Sequence, residues 1–381
     1  MRLLFSLMYP FTRIGYGGGH QIIRGLAREL TRMGHEVHIC CSGTDDLGIA
    51  ATDAPVQYHF SGRFTPRRRW LETGLRTLQL ARQLQPDHVC CFSREAGLVL
   101  PILRAQGRPA FFYLASPELT PLPRSPGMLL QRGLHQSTIL DILTARNATR
   151  ILSISASATE QARTYWHVAA DRVVTLGTGI DNVFCTVPLQ MHTLAQPFVP
   201  SFISVGRINL RQKPLEQAAA ALSSLSVPWQ AWVIVGAGSF YSGGKEEDQL
   251  KEWIQRLRLQ ERTVFTGQLP AQEVVAQFQQ HPIALLPSRY ESFFLTVYEA
   301  VACGCVVVTN DVANIRSYFH DVPSVIIAHD SSWEAYRAAI LQAIAIYPEV
   351  LPTLPTIAQR VRAECGWSSV ADRFEQALQC A

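Results

Sequence analysis

The stretch Leu285-Leu286-Pro287-Ser288-Arg289-Tyr290-Glu291-Ser292-Phe293-Phe294-Leu295-Thr296-Val297-Tyr298-Glu299-Ala300-Val301-Ala302-Cys303-Gly304 decides the architecture. Its first residues continue an apolar run from Pro282 and stop at Pro287, which has no amide proton to extend a strand ladder. A polar loop follows. Ser292 is the expected cap of a helix over residues 293–303, because its hydroxyl can accept from an otherwise unpaired amide. Gly304 ends that helix, and a second apolar run, Cys305–Thr309, begins at once. Strand, loop, helix and strand in so short a span is the unit of a parallel sheet wound with helices. Glu291 is expected in the loop above the strand end, and Glu299 about two turns into the helix, within reach of the same place. The amides of Phe293, Phe294 and Leu295 would form an open helix N-terminus suited to an anionic or hydroxyl-rich ligand. Spacing alone favours two solvated charges on a helix surface.

Reading outward, the same alternation runs through nearly all 381 residues. The first half offers strands at Leu3–Met8, Glu36–Cys41, Val56–Phe60, His88–Phe92, Ala110–Leu114, Arg150–Ile154 and Val173–Leu176. Helical patterns such as His20–Met33, Trp70–Leu84 and Leu129–Arg146 separate them. Around Cys185–Pro200 the pattern lapses into prolines, and it restarts with Phe202–Val205, Gln230–Val235, Val264–Thr266, Pro282–Leu286, Cys305–Thr309 and Ser324–Ile327. Strands apolar throughout are buried on both faces of a parallel sheet. The reading is therefore α/β, with two tandem Rossmann-like, doubly wound domains over residues 1–190 and 198–364. Such folds bind ligands beyond the carboxyl ends of their strands, here expected in a cleft between the two halves.

Composition narrows the function. Apolar residues make up 48% and charged residues 17%, which excludes a disordered chain. The net charge of +4 is too small to point to nucleic acid, although phosphorylated or anionic partners stay open. No unbroken apolar run approaches the roughly 18 residues of a membrane-spanning helix. The nine cysteines include no Cys-x-x-Cys pair. Free, buried thiols in a reducing cytosol are expected, and no metal. Met1–Met8 reads as a first buried strand rather than a leader.

Glu291-x7-Glu299 after a strand ending in Pro287-Ser288, followed by Gly304, resembles the signature of the family 4 glycosyltransferases, retaining enzymes of the GT-B fold. Ser204-Val205-Gly206-Arg207-Ile208 with Lys213, Val235-Gly236-Ala237-Gly238, and Phe265-Thr266-Gly267 are similar to further family motifs in the expected order. Gly17-Gly18-Gly19 and Gly34-His35-Glu36-Val37 resemble its opening. Cys365-Gly366-Trp367-Ser368 resembles the point at which a final helix, 365–381, crosses back onto the first domain.

The resemblance implies transfer of a hexosyl group from a nucleoside-diphosphate sugar to a hydroxyl acceptor, with retention and without metal or other cofactor. It implies that Glu291 contacts the donor sugar and that Glu299 holds the ribose. Arg207 and Lys213 bind the diphosphate and, with Glu291, form the catalytic set. Gly17, Gly18, Gly206 and Gly238 admit close backbone approach, and Phe293, Phe294 and Leu295 complete the donor site. Tyr16, His20 and Glu118 are acceptor-side candidates, the acceptor being a saccharide, a lipid or a natural product.

Four positions depart from the family pattern. Phe294 replaces a glycine, so the sugar loop is expected to be narrower or differently turned. Lys213 stands one residue further from Arg207 than usual, so either a bulge restores the geometry or Arg211 substitutes. Ala115 stands where a histidine is common, and Asp311–Arg316 lacks the glycine pair and the acidic residue often found after that strand. The basic run Arg63–Trp70 offers contact with an anionic acceptor or an inner membrane surface, a solvated loop being the alternative. A nucleotide-sugar-binding protein without transfer activity is the rival reading. A dinucleotide oxidoreductase is disfavoured because neither glycine cluster forms Gly-x-Gly-x-x-Gly in a fitting frame.

Overall fold

The computed structural model describes residues 1–7, 18–45, 48–62, 69–93, 98–115, 136–190, 198–238, 244–313 and 315–379. The chain divides into two compact units, Met1–Gly179 with Trp367–Ala381, and Ile180–Gly366. The division falls earlier than the proline-rich stretch suggested. Two contacts set it there: the Ile180 amide donates to the Cys365 carbonyl at 2.9 Å, and Asp181 caps the short helix Asn182–Thr186.

All thirteen apolar runs form strands. In the first unit these are β1 (Arg2–Leu7), β2 (Glu36–Cys41), β3 (Gln57–Phe60), β4 (His88–Cys91), β5 (Ala110–Leu114), β6 (Arg150–Ser153) and β7 (Val173–Thr175). They make one parallel sheet in the order β3-β2-β1-β4-β5-β6-β7. The helix Trp367–Gln379 belongs to this unit. Phe374 meets Phe5 edge-on at 5.7 Å, and the Trp367 indole lies where a side chain on Gly25 or Gly179 would stand. A Cβ on Gly25 would come within 2.0 Å of that ring, so the pair is a lock that only glycine permits.

The second unit carries β8 (Phe202–Val205), β9 (Trp232–Val235), β10 (Thr263–Gly267), β11 (Ile283–Leu286), β12 (Val306–Asn310) and β13 (Val325–Ala328). Their order is β10-β9-β8-β11-β12-β13, again parallel. Alternate residues feed two cores. Phe202, Trp232, Leu285 and Val306 pack with Tyr336, Ile340 and Tyr347 on one face. Ile203, Val233, Ala284 and Val307 pack with Phe278, Val297 and Val301 on the other. Ser204 is buried between these strands and satisfied: its hydroxyl donates to the Leu285 carbonyl at 2.6 Å and accepts from the Trp232 indole at 2.9 Å.

One helical run, Trp333–Cys365, is long and apolar enough by length and composition to cross a membrane once polar interruptions are allowed. Tyr336, Ile340, Ala343 and Tyr347 on it are core residues of the second unit. The eight described cysteines form no disulfide, and all but the half-buried Cys185 are buried.

Candidate active site

β8 and β11 are neighbours where the strand order of the second sheet reverses, the point at which doubly wound sheets open a crevice. Beyond β8 the chain turns at Gly206, with φ +134°, against Gly236, with φ +139°. A Cβ on Gly236 would lie 2.0 Å from the Gly206 carbonyl oxygen, and one on Gly206 would lie 2.9 Å from Lys213 Nζ. Both positions therefore require glycine. The pairing continues past them, Ile208 donating to Ala237 at 2.9 Å, and this leaves Arg207 exposed at the strand end. The Gly238 amide donates to Glu247 at 3.0 Å.

Lys213 is the centre of the group. Its Nζ lies 3.6 Å from Glu291 Oε1 and 4.6 Å from the centroid of the Phe294 ring. Gly206, Arg207, Lys213, Pro287 and Phe294 share the lining of one pocket. The extra residue before Lys213 is absorbed by a tight turn, in which the amides of Gln212 and Lys213 both donate to the Asn209 carbonyl, at 3.1 and 2.6 Å. Arg211 is exposed. Lys213 thus faces Glu291.

Burial lowers the Lys213 pKa, opposed by the charges of Glu291 and Glu299. Burial likewise raises that of Glu291, opposed by Lys213 and a hydrogen bond from Ser288. Glu299 is pushed up to about 7 by burial and the nearby charge of Asp181, with Lys213 pulling the other way. One half-buried ammonium thus serves two carboxylates, each costly to ionise alone. An anion entering beside Lys213 and Arg207 would meet cations only partly neutralised.

The helix after this loop corrects the reading from sequence. It spans Leu295–Ala302, and Phe294, not Ser292, precedes its first residue without a side-chain cap. The Leu295 amide is not open, since it donates to the Phe293 carbonyl at 3.1 Å. Glu299 therefore lies little more than one turn into the helix. Packing outweighs the serine cap: Phe294 is buried, and Phe293 stacks on Tyr298 with ring centroids 4.5 Å apart. The Phe294 ring, standing for the family's glycine, becomes a floor beneath the lysine.

Residues given no role by the sequence support Glu291 from behind. The Ser288 hydroxyl donates to Glu291 Oε1 at 3.2 Å, and the Ser288 amide donates to Asn310 Oδ1 at 3.0 Å. The Tyr336 hydroxyl also donates to Asn310, whose side-chain amide donates to the Asp330 carbonyl at 2.9 Å. Asn310 ends β12, and only the apolar run before it could have suggested that position.

Tyr16, Gly17 and Glu118 lie outside the described residues, as does the run 63–68. Gly18 opens the helix Gly18–Arg32 of the first unit, and His20 is buried in it. Ala115 follows β5, and Arg316 pairs with Asp311 at 2.5 Å on the surface. Among the described residues no three His, Cys, Asp or Glu side chains are grouped to hold a metal ion.

Residues 198–350 match the family model described as Glycosyl transferases group 1, and residues 16–183 match Glycosyltransferase Family 4. The glycogen synthase of Mycobacterium tuberculosis is 24% identical over 340 residues, covering 82% of this chain and 78% of its own. Sucrose-phosphate synthase from Thermosynechococcus elongatus superposes with a TM-score of 0.76 at 18% identity, over 99% of this chain and 98% of that one. HepE from Anabaena, in complex with UDP and glucose, superposes with a TM-score of 0.72 at 17% identity over the full length of both. These two structural likenesses concern the fold.

Proposed function

The chain belongs to the family 4 glycosyltransferases of the GT-B fold, and from that premise we propose that its second unit holds a nucleoside-diphosphate sugar at the ends of β8 and β11. Lys213 and Arg207 take the diphosphate, Glu291 takes hydroxyls of a hexosyl group, and Glu299 takes the ribose diol. A carboxylate suits paired hydroxyls because it accepts without donating. The observation that carries this reading is Lys213 held against Glu291, the Phe294 ring and Gly206 at a strand-order reversal.

As the anomeric C–O bond breaks, negative charge collects on the diphosphate, and each cation in place beforehand is typically worth about 3 kcal/mol. The acceptor hydroxyl attacks from the face the diphosphate leaves and passes its proton to the departing phosphate oxygen, so the configuration is retained and the nucleoside diphosphate leaves with that proton. The two cations take the role a metal would otherwise fill. Gly17 and Gly18 are assigned to donor binding, and Tyr16, His20 and Glu118 to binding of a saccharide, lipid or natural-product acceptor. The bound UDP and glucose of HepE make UDP-glucose the first donor to try.

We place the enzyme in the cytoplasm, in keeping with its free cysteines, with peripheral contact to an anionic membrane surface. Leu71, Leu75, Ile102 and Ile139 are exposed on helices that also carry Arg76, Arg82, Arg104 and Arg146. Sedimentation with phosphatidylglycerol vesicles, but not with phosphatidylcholine vesicles, is the expected result.

A panel of UDP-, ADP- and GDP-sugars tests the central reading. One donor should raise the melting temperature in proportion to its affinity and be turned over or slowly hydrolysed. Stabilisation without any turnover would contradict the transfer activity.

A further inference from the structure

Arg289 lies outside the group just described but ties together the two loops that carry it. Its backbone amide donates to the Gln212 carbonyl at 2.8 Å. Its Nη1 donates to the carbonyls of Leu210, at 2.6 Å, and Arg211, at 3.1 Å. Its Nη2 reaches Glu216 Oε1 at 3.4 Å, which anchors the guanidinium on the helix Leu215–Ser223. A strap returns the other way, Gln212 Nε2 donating to the Tyr290 carbonyl at 3.1 Å. Residues 210–212 immediately precede Lys213, and residues 289 and 290 immediately precede Glu291.

We infer that Arg289 is a positioning residue for glycosyl transfer, clasping the Lys213 loop to the Glu291 loop so that ammonium and carboxylate move as one body. This rests on the reading of Lys213 and Glu291 as donor-binding groups. The chemistry asks for arginine. A planar fork with five donors can serve two carbonyls and a carboxylate at once, whereas an ammonium on a flexible stem is a point charge. The clasp also answers the long spacing from Arg207, because a loop with an extra residue needs an outside hold to keep one geometry.

The test compares the parent with Arg289→Ala, Arg289→Lys and Gln212→Ala by hydrogen exchange, by titration with UDP, ADP and GDP, and by turnover of the matching glucose donors. In Arg289→Ala, exchange in peptides spanning 209–213 and 288–292 should rise together. Turnover should fall about 100-fold with KM within about threefold, the cost of displacing a reacting group by an ångström. Arg289→Lys should not restore it, and Gln212→Ala should show a smaller loss of the same kind. Arg360→Ala breaks an exposed pair with Asp321 in the same unit and should leave both measurements unchanged.

Exchange rising in one segment only, or full rescue by lysine, would overturn the clasp. If the parent binds none of the three diphosphates, the donor-site reading fails, and the exchange result still decides whether the two loops are coupled.

Discussion

At the scale of single residues, the site is a half-buried lysine shared between acids that are reluctant to ionise. Glu299, with a pKa near 7 in the folded chain against an ordinary 4.5, keeps a proton that the unfolded chain releases between those values. Its contribution to stability therefore falls as pH rises through that window. Relative to the parent, Glu299→Gln should gain stability on the order of 2 kcal/mol from about pH 5 to pH 7.5, as read by urea denaturation at each pH. An equal difference at both ends would refute the burial argument. Phe294→Leu keeps an apolar floor but removes the ring beneath Lys213. It should weaken diphosphate binding only severalfold, since a cation–π contact is worth about 1 kcal/mol. Glu291, Glu299, Arg207 and Lys213 were legible because their motifs are short and local. Arg289 was not, because its bonds to Leu210 and Arg211 span 79 and 78 residues and nothing in the spacing marks a carbonyl as a partner. Asn310 was hidden for the same reason, its partner Ser288 lying 22 residues away.

Elements were read best where burial on both faces leaves an unbroken apolar run, as in β5, β9, β11 and β12. Helix starts were read less well. Ser292 has the chemistry of a cap, but two adjacent phenylalanines gain more by packing, and the helix begins at Leu295. The contact between Gly25 and Trp367 shows the opposite order of effects. A Gly→Ala change inside an exposed helix gains about 1 kcal/mol in propensity, but overpacking a fixed ring costs about 1–3 kcal/mol or more. Because the added Cβ would sit 2.0 Å from a buried indole, Gly25→Ala should be destabilising, with a lower midpoint in chemical denaturation at unchanged m-value. A stabilised variant would show that the helix Trp367–Gln379 is not seated on the helix Gly18–Arg32 as described.

For the whole molecule, the two-part division was visible in the lapse around Cys185–Pro200. Its position was not, because the bond from Ile180 to Cys365 joins residues far apart in sequence. What the second unit does depends on whether its strand-order reversal binds a pyrophosphate group, and calorimetric titration asks this without needing an acceptor. Titrating UDP, ADP and GDP into the parent, Lys213→Ala and Glu299→Ala should give one nucleotide that binds the parent. Affinity for it should drop about 100-fold without the lysine, and about tenfold without the glutamate, the worth of a hydrogen bond to a charged group. If that nucleotide binds all three proteins alike, the diphosphate does not sit at the ends of β8 and β11.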